Sequence, residues 1–145
     1  IIIKNMIKNV EFIEKLRSSN LRPTKQRLKI CEVLFNRDTT FHFTINDLVK
    51  IIREKLNEKI SLATVYNTVH SFKQKGYLKE VSINSDKNYF DTNTSEHHHF
   101  FDEQNGELID CNKNDIDFVN VKTKIPGKKI SSVEVLIKIA NDNHN

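Results

Sequence analysis

The chain has 145 residues, of which 37% are hydrophobic and 29% are charged, and its formal net charge is +4. This length is sufficient for one domain with a good core or for two small domains. The sequence has no run of about eighteen apolar residues, so we expect no membrane span. Its two cysteines, Cys31 and Cys111, do not form a CxxC pair, which excludes a four-thiolate zinc site.

The charge is distributed unevenly along the chain. Residues 1–91 hold 17 Lys and Arg against 10 Asp and Glu, a net charge of +7, whereas residues 92–145 hold 6 against 9, a net charge of −3. A basic part joined to an acidic part is typical of a DNA-binding domain linked to a metal-binding or dimerisation domain, although lysine-rich surfaces are commonly only solvated.

Two amphipathic helices are predicted first, separated by a break at residues 20–23. The first spans residues 8–18, and Thr24 caps the second. Their inward residues are Val10, Phe12, Ile13, Leu16, Leu28, Cys31, Leu34 and Phe35. Arg22, Lys25 and Arg27 are candidates for phosphate contacts, and a solvated surface charge is the alternative for each of them.

A third helix is predicted to begin after Thr44, with Asp47 three positions later in a capping pattern. A fourth follows Ser61 and ends at Gly76, which permits the left-handed residue that terminates a helix. The spacing predicts an inward side for this helix that consists of Leu62, Val65, Val69 and Phe72.

The outer face of this fourth helix carries short or planar hydrogen-bonding groups. They are Ser61, Thr64, Tyr66, Asn67 and His70. Such groups suit a helix in a DNA major groove, because base edges offer donors, acceptors and thymine methyl groups at close range. The alternative is an ordinary amphipathic helix with a polar outer side. A hairpin is predicted at residues 78–91, and helices followed by a hairpin indicate a winged helix.

The C-terminal part is predicted to hold strands and one helix. Residues 92–96 contain no apolar residue and are the predicted linker, which divides the chain into domains at 1–91 and 97–145. Two strands are predicted at HHHFFD and ELIDC, joined by a turn at residues 103–106. A helix is predicted at residues 114–124, with Ile116, Val119 and Thr123 inward. A last strand is predicted at SSVEVLIKIA. So few elements cannot bury both faces of a sheet, so we expect a homodimer.

Several motifs together resemble the ferric uptake regulator family, and within it most closely the iron response regulator branch. They are LRPTKQR, SLATVYNTV, QKGYL, YFDTNTSEHHHFFD and NGELIDC. The resemblance covers residues 21–139. It implies an α+β fold, with an N-terminal winged helix-turn-helix and a small α/β dimerisation domain, and a regulator that binds double-stranded DNA. We expect this regulator to bind a palindromic operator. The residues expected to read bases are Ser61, Thr64, Tyr66 and Asn67, and those expected to contact phosphates are Arg22 and Lys25.

The resemblance also implies a regulatory metal site with ligands from both domains. Counted back from Gly106, His97 and His99 fall on the histidine pair of this site, and His42 and Asp91 complete it. On a strand, these two histidines share a face and His98 takes the other. A solvated histidine triplet is the alternative. Imidazoles with carboxylates suit divalent iron, manganese or zinc, and imidazole alone can ligate haem.

A second family site, for metal or haem, would draw on Glu96, His98 and Asp117, but its remaining histidine is absent. The implied function is a cytoplasmic regulator of iron and haem homeostasis whose action haem ends. Two alternatives stay open: a peroxide sensor or plain divalent-metal repressor of the same family, and a haem-binding or metal-binding protein that does not bind DNA. An enzyme is not expected, since no nucleophile with a plausible base and no phosphate-binding loop occurs.

Overall fold

The computed structural model describes residues 1–117 and 120–143. The chain divides into two compact units, Ile1–Thr94 and Ser95–Asn145. The first unit contains four helices and a small sheet. Its elements are α1 (Ile2–Ser18), α2 (Lys25–Phe35), β1 (His42–Phe43), α3 (Ile45–Lys55), α4 (Leu62–Lys75), β2 (Lys79–Asn84) and β3 (Lys87–Asp91).

The helix boundaries follow from local capping. The Thr44 hydroxyl accepts the backbone N–H of Asp47 at 3.1 Å, and the Asp47 carboxylate accepts the N–H of Thr44 at 3.0 Å, so the predicted capping box is confirmed. Thr24 caps α2 and Ser61 caps α4. Gly76 ends α4 with φ of 91°, as the sequence predicts.

The core of the first unit lies among the four helices and the sheet. The inward stripes converge on one cluster, whose largest fully buried members are Phe43, Phe72, Phe90, Leu16, Ile30, Leu34, Leu48 and Ile52. Two predictions about this core are wrong: Val10 is 55% exposed and Leu62 is 52% exposed. Leu62 lies in the first turn of α4, where the buried residues begin at Val65. Val10 lies near the middle of α1, whose buried residues begin only at Phe12.

The strands of the first unit form one antiparallel sheet in the order β1-β3-β2. The predicted hairpin is confirmed as β2 and β3, which join through a turn where the Asn84 side chain accepts the N–H of Asp86. Strand β1 adds on the other side of β3, with Phe43 opposite Phe90 and His42 opposite Asp91. Helices α3 and α4 with this hairpin form the winged helix-turn-helix.

The second unit is built on β4 (His97–Asp102), β5 (Glu107–Asn112) and β6 (Leu136–Ile139), with a short 3₁₀ turn at Lys113–Asp115. Strand β4 is central, antiparallel to β5 and parallel to β6. The predicted last strand forms only over its final part. The prediction of a helix at residues 114–124 is wrong for the described residues, because only the 3₁₀ turn forms there. Val119, one of its predicted inward residues, lies outside the described residues. The weak amphipathic pattern there lacked a cap and a continuous apolar stripe.

None of the described helices is both long and apolar enough to cross a membrane.

The Thr44 capping box should contribute measurably to stability. We expect Thr44→Ala to lower the free energy of unfolding by about 1 kcal/mol, because the backbone N–H of Asp47 loses the hydroxyl that caps it. Urea denaturation monitored by circular dichroism measures the change. Asn46→Ala, at an exposed position in the same turn, is the matched control and should leave stability within about 0.5 kcal/mol. Equal effects of both changes would contradict the capping role.

Candidate metal centre and nucleic-acid interface

The histidine triplet forms the start of β4, and the strand geometry separates its members. Alternate side chains point to opposite faces, so His97, His99 and Phe101 share one face and are nearly buried. His98 points to the other face. The prediction that His97 and His99 lie together is therefore confirmed: their Nε2 atoms are 2.9 Å apart.

A carboxylate that the sequence analysis missed completes this cluster. Asp110 on β5 pairs directly with His99, and its Oδ1 lies 3.1 Å from Nε2 of His97 and 3.3 Å from Nε2 of His99. The signal was present in the sequence, because a hairpin whose turn occupies residues 103–106 pairs residue 102 with 107 and therefore 99 with 110. We name His97, His99 and Asp110 the β4–β5 cluster.

Hydrogen bonding orients His97 as a ligand. Its Nδ1 lies 2.6 Å from the carbonyl oxygen of Ser95, and since a carbonyl can only accept, Nδ1 carries the proton in this contact. In the neutral ring, the lone pair is then on Nε2, the atom that faces Asp110 and His99. Two imidazoles and a carboxylate whose ligand atoms converge in this way can share a proton, or can bind a divalent cation that suits mixed nitrogen and oxygen ligands.

The other two predicted ligands form a pair in the first unit. His42 and Asp91 are opposite each other on β1 and β3, with Nε2 of His42 and Oδ2 of Asp91 3.0 Å apart. The Asp91 side chain is fully buried, and its Oδ1 accepts the N–H of Asn93 at 2.8 Å. A buried carboxylate is tolerated only when it is hydrogen-bonded or paired, and Asp91 has both kinds of partner.

The residues of the predicted second site are not brought together. Glu96 is exposed and lies 3.9 Å from the ammonium group of Lys113, and Asp117 is exposed. Within the described part of the chain, Glu96, His98 and Asp117 do not form a group whose ligand atoms all lie within 4.8 Å of one another. The strand alternation that brings His97 to His99 turns His98 toward β6, where its Nδ1 accepts the N–H of Val135 at 3.0 Å.

The hydrogen bond from Val135 determines whether His98 could ligate haem iron. With Nδ1 accepting, the proton of neutral His98 is on Nε2, so neither nitrogen offers a free lone pair to an iron atom. His98 in this arrangement does not fit the role of an axial haem ligand.

The predicted base-reading residues line the outer face of α4, but they differ in what they already contact. Tyr66 is 51% exposed, and Asn67 is exposed. The Ser61 hydroxyl accepts the N–H of Thr64 at 3.1 Å and lies 2.8 Å from the Thr64 hydroxyl. Ser61 and Thr64 therefore stabilise the start of the helix, which leaves Tyr66 and Asn67 as the more available groups.

The basic residues near α2 also differ in their surroundings. Arg22 is exposed, and its carbonyl oxygen accepts a hydrogen bond from the Arg27 guanidinium at 3.0 Å. Lys25 lies 3.6 Å from the Glu58 carboxylate, although its side chain is 81% exposed. An exposed pair of this kind is weak, so Lys25 can exchange Glu58 for a phosphate at little cost.

Comparisons with known proteins place these features in a wider group. The sequence model of the Ferric uptake regulator family matches residues 18–138. The peroxide operon regulator of Bacillus subtilis (strain 168) is 33% identical over 122 residues, which are 83% of this chain and 82% of that protein.

Solved structures show the same fold. The ferric uptake regulator of Vibrio cholerae superposes with a TM-score of 0.67 at 22% identity, over 89% of this chain and 98% of that one. The ferric uptake regulator of Pseudomonas aeruginosa with manganese gives 0.62 at 19% identity, over 90% and 97%. The predicted α+β fold class, with an N-terminal DNA-binding domain and a C-terminal dimerisation domain, is confirmed.

Asp110 provides a direct test of the β4–β5 cluster. We expect Asp110→Asn to lower the affinity for manganous ion by at least about tenfold, since the amide keeps the shape of the side chain but removes the charge that a cation needs. Isothermal titration calorimetry of the full chain measures this. Glu107→Gln, an exposed carboxylate on the same strand, is the matched control. Unchanged affinity in Asp110→Asn would exclude this carboxylate as a ligand.

Proposed function

The chain belongs to the ferric uptake regulator family, and from this premise we propose that it is a metal-dependent repressor that releases its operator DNA when peroxide is present. The observation that carries the proposal is the convergence of two imidazoles and a carboxylate in the β4–β5 cluster. The likeness to the peroxide operon regulator of Bacillus subtilis supports the choice of signal.

Family membership establishes the general function. The predictions that the chain is a metal-sensing, DNA-binding transcription regulator and not an enzyme are confirmed, because that is what the family consists of. Its members bind DNA as dimers. A palindromic operator for this chain and a cytoplasmic location belong to our proposal.

Exposed apolar residues support a homodimer of this chain. In the second unit, Val121, Ile125, Ile130 and Val133 are between 38% and 62% exposed. These side chains would leave water if a second copy covered them, which is the favourable term in most protein association.

We propose that one metal is bound by His42 and Asp91 from the first unit and by the β4–β5 cluster from the second. The ligand atoms of His42 and Asp91 are already in contact with each other, as are those of the β4–β5 cluster. The hydrogen bond from Nδ1 of His97 to Ser95 leaves the lone pair of the ring on Nε2. A ligand set drawn from both units would favour one arrangement of the DNA-binding units over others, since an effector shifts an equilibrium by its differential affinity for the two states. A ferrous ion held by these residues would supply an electron to peroxide, whereas a manganous ion gives up an electron far less readily.

The cysteines give independent support for sensing at the metal. Both thiols are buried. Burial raises the pKa of Cys31 to about 12, so this residue stays a protonated thiol at neutral pH. Peroxide reacts with exposed thiolates of low pKa, which Cys31 is not. The burial of both thiols therefore supports sensing at the metal site.

The more specific prediction, that haem ends the action of the protein at genes of iron and haem metabolism, stays a prediction. It rested on resemblance to the iron response regulator branch, and the hydrogen bond that His98 accepts from Val135 gives it no support. The His and Asp groups of the proposed metal site favour a divalent ion instead.

Peroxide sensing can be tested by comparing two metals. We expect hydrogen peroxide to abolish operator binding by the iron-loaded protein and to leave binding by the manganese-loaded protein intact. The probe is a DNA duplex that the metal-loaded wild type selects from a randomised pool, and fluorescence anisotropy measures binding. The Cys31→Ala/Cys111→Ala variant should respond to peroxide like the wild type.

Two results would contradict this proposal. Loss of the response in the double cysteine variant would assign sensing to a thiol. Binding by the iron-loaded protein that is insensitive to peroxide would indicate a plain divalent-metal repressor.

The DNA interface can be tested by comparing two side chains. We expect Tyr66→Ala to cost about 1–3 kcal/mol of binding free energy on the selected duplex and little on random DNA, because it removes a base contact. Arg22→Ala should weaken binding to both and lower the salt dependence by about one counterion. Gln74→Ala, exposed at the far end of α4, is the control. Equal losses for Tyr66→Ala on both DNAs would exclude base reading by this ring.

A further inference from the structure

The exposed Tyr66 ring on α4 is supported by a second ring one helical turn later. The ring centroids of Tyr66 and His70 are 4.1 Å apart, with an interplanar angle of 41°. Residues four apart on a helix lie on the same face, so this contact follows from the sequence spacing. A half-exposed aromatic side chain loses rotamer freedom when it contacts a base, and this loss of entropy opposes binding. A neighbouring ring that already restricts the side chain in the free protein lowers this entropic cost.

His70 is itself held by the core. Its ring meets Phe90 edge to face, with centroids 5.6 Å apart and an interplanar angle of 84°. Phe90 is 2% exposed and stacks on Phe43 with centroids 5.7 Å apart. The rings of Phe43, Phe90, His70 and Tyr66 therefore form a continuous series from the buried sheet to the outer face of α4.

The residue type at position 70 matters in this series. A solvent-exposed helix face would accept lysine or glutamate. At position 70, however, such a flexible side chain has no rigid ring that could pack against Phe90 and Tyr66 at the same time. A planar ring can, and the contact of His70 with Phe90 has the edge-to-face geometry that is favourable beyond the area it buries. The polar ring nitrogens also tolerate the partly exposed position.

We propose that His70 is a positioning residue for DNA recognition: anchored on Phe90, it holds the Tyr66 ring in the orientation that reads a base. This inference rests on the proposed base-reading role of Tyr66. His70 acts through Tyr66 and need not touch DNA, so its removal should change the discrimination between sequences more than the stability of the fold.

The experiment compares three substitutions at position 70 in the full-length, manganese-loaded protein. Affinities for the selected duplex and for a randomised duplex are measured by fluorescence anisotropy at one salt concentration, and their ratio is the specificity. We expect His70→Ala and His70→Gln to lower this ratio about twofold to tenfold, which is the range of a lost aromatic pair. His70→Phe keeps a ring at this position and should restore the ratio to within about twofold of the wild type.

Thermal denaturation accompanies each measurement, and His70→Gln keeps the length of a polar side chain if His70→Ala folds poorly. Gln74→Ala on the same helix is the control and should leave the ratio unchanged. The Tyr66→Ala/His70→Ala double variant should be no less specific than Tyr66→Ala alone, because a residue that acts through Tyr66 has no effect once that ring is gone.

Two results would overturn the inference. The first is an unchanged ratio in both His70→Ala and His70→Gln, whether affinity falls equally on both duplexes or not at all. The second is a His70→Ala effect that persists when Tyr66 is absent. If Tyr66→Ala itself leaves the ratio unchanged, the base-reading role fails and this inference fails with it. If Tyr66→Ala lowers the ratio and the His70 variants do not, only the inference about His70 fails.

Discussion

The pairing of β1 with β3 is the constraint on which most of the first unit depends. It sets Phe43 opposite Phe90, whose rings stack in the core, and His42 opposite Asp91. Because successive side chains on a strand alternate between faces, one register fixes both the packing and the proposed ligand pair. A slip of one residue would turn the Asp91 carboxylate away from His42 and toward the phenylalanine side of the strand. The strand that supports the helices is thus the same strand that carries Asp91.

The β4–β5 hairpin has the same role in the second unit. The Asp102 carboxylate accepts the backbone N–H groups of Asn105 and Gln104, and also the Asn105 side chain, which fixes the turn. These hydrogen bonds lower the pKa of Asp102 below its usual value, and the one from the backbone N–H of Asn105 has the largest effect. A turn fixed at this position determines every pair along the hairpin, including that of His99 with Asp110. The ligand geometry therefore depends on a turn that contains none of the ligands.

Strand β3 connects one of the proposed metal ligands to the proposed DNA-reading surface. Phe90 precedes Asp91 in β3 and contacts the His70 ring, which in turn contacts Tyr66. The segment of β3 that would respond to a metal is thus also the one against which the recognition helix packs.

Much of the first unit could be predicted from the sequence, because its signals are local. Thr24, Thr44 and Ser61 cap helices through bonds to residues three positions away, and Gly76 ends α4 through its own backbone angle. The errors occurred where local periodicity continues past the core: Leu62 is in phase with Val65, yet it lies in the first turn and is exposed. The predicted helix at residues 114–124 failed for a related reason, since a weak pattern without caps or packing partners does not specify a helix.

The sequence by itself determined the winged helix, the family resemblance and the sharing of one face by His97 and His99, because these depend on caps, motifs and the alternation of a strand. Only the tertiary structure decided that His98 accepts a hydrogen bond from Val135 and that His70 packs against Phe90. Each of these depends on contacts between strands, or between a helix and a sheet, and such contacts are set by register and packing across segments that are distant in the chain.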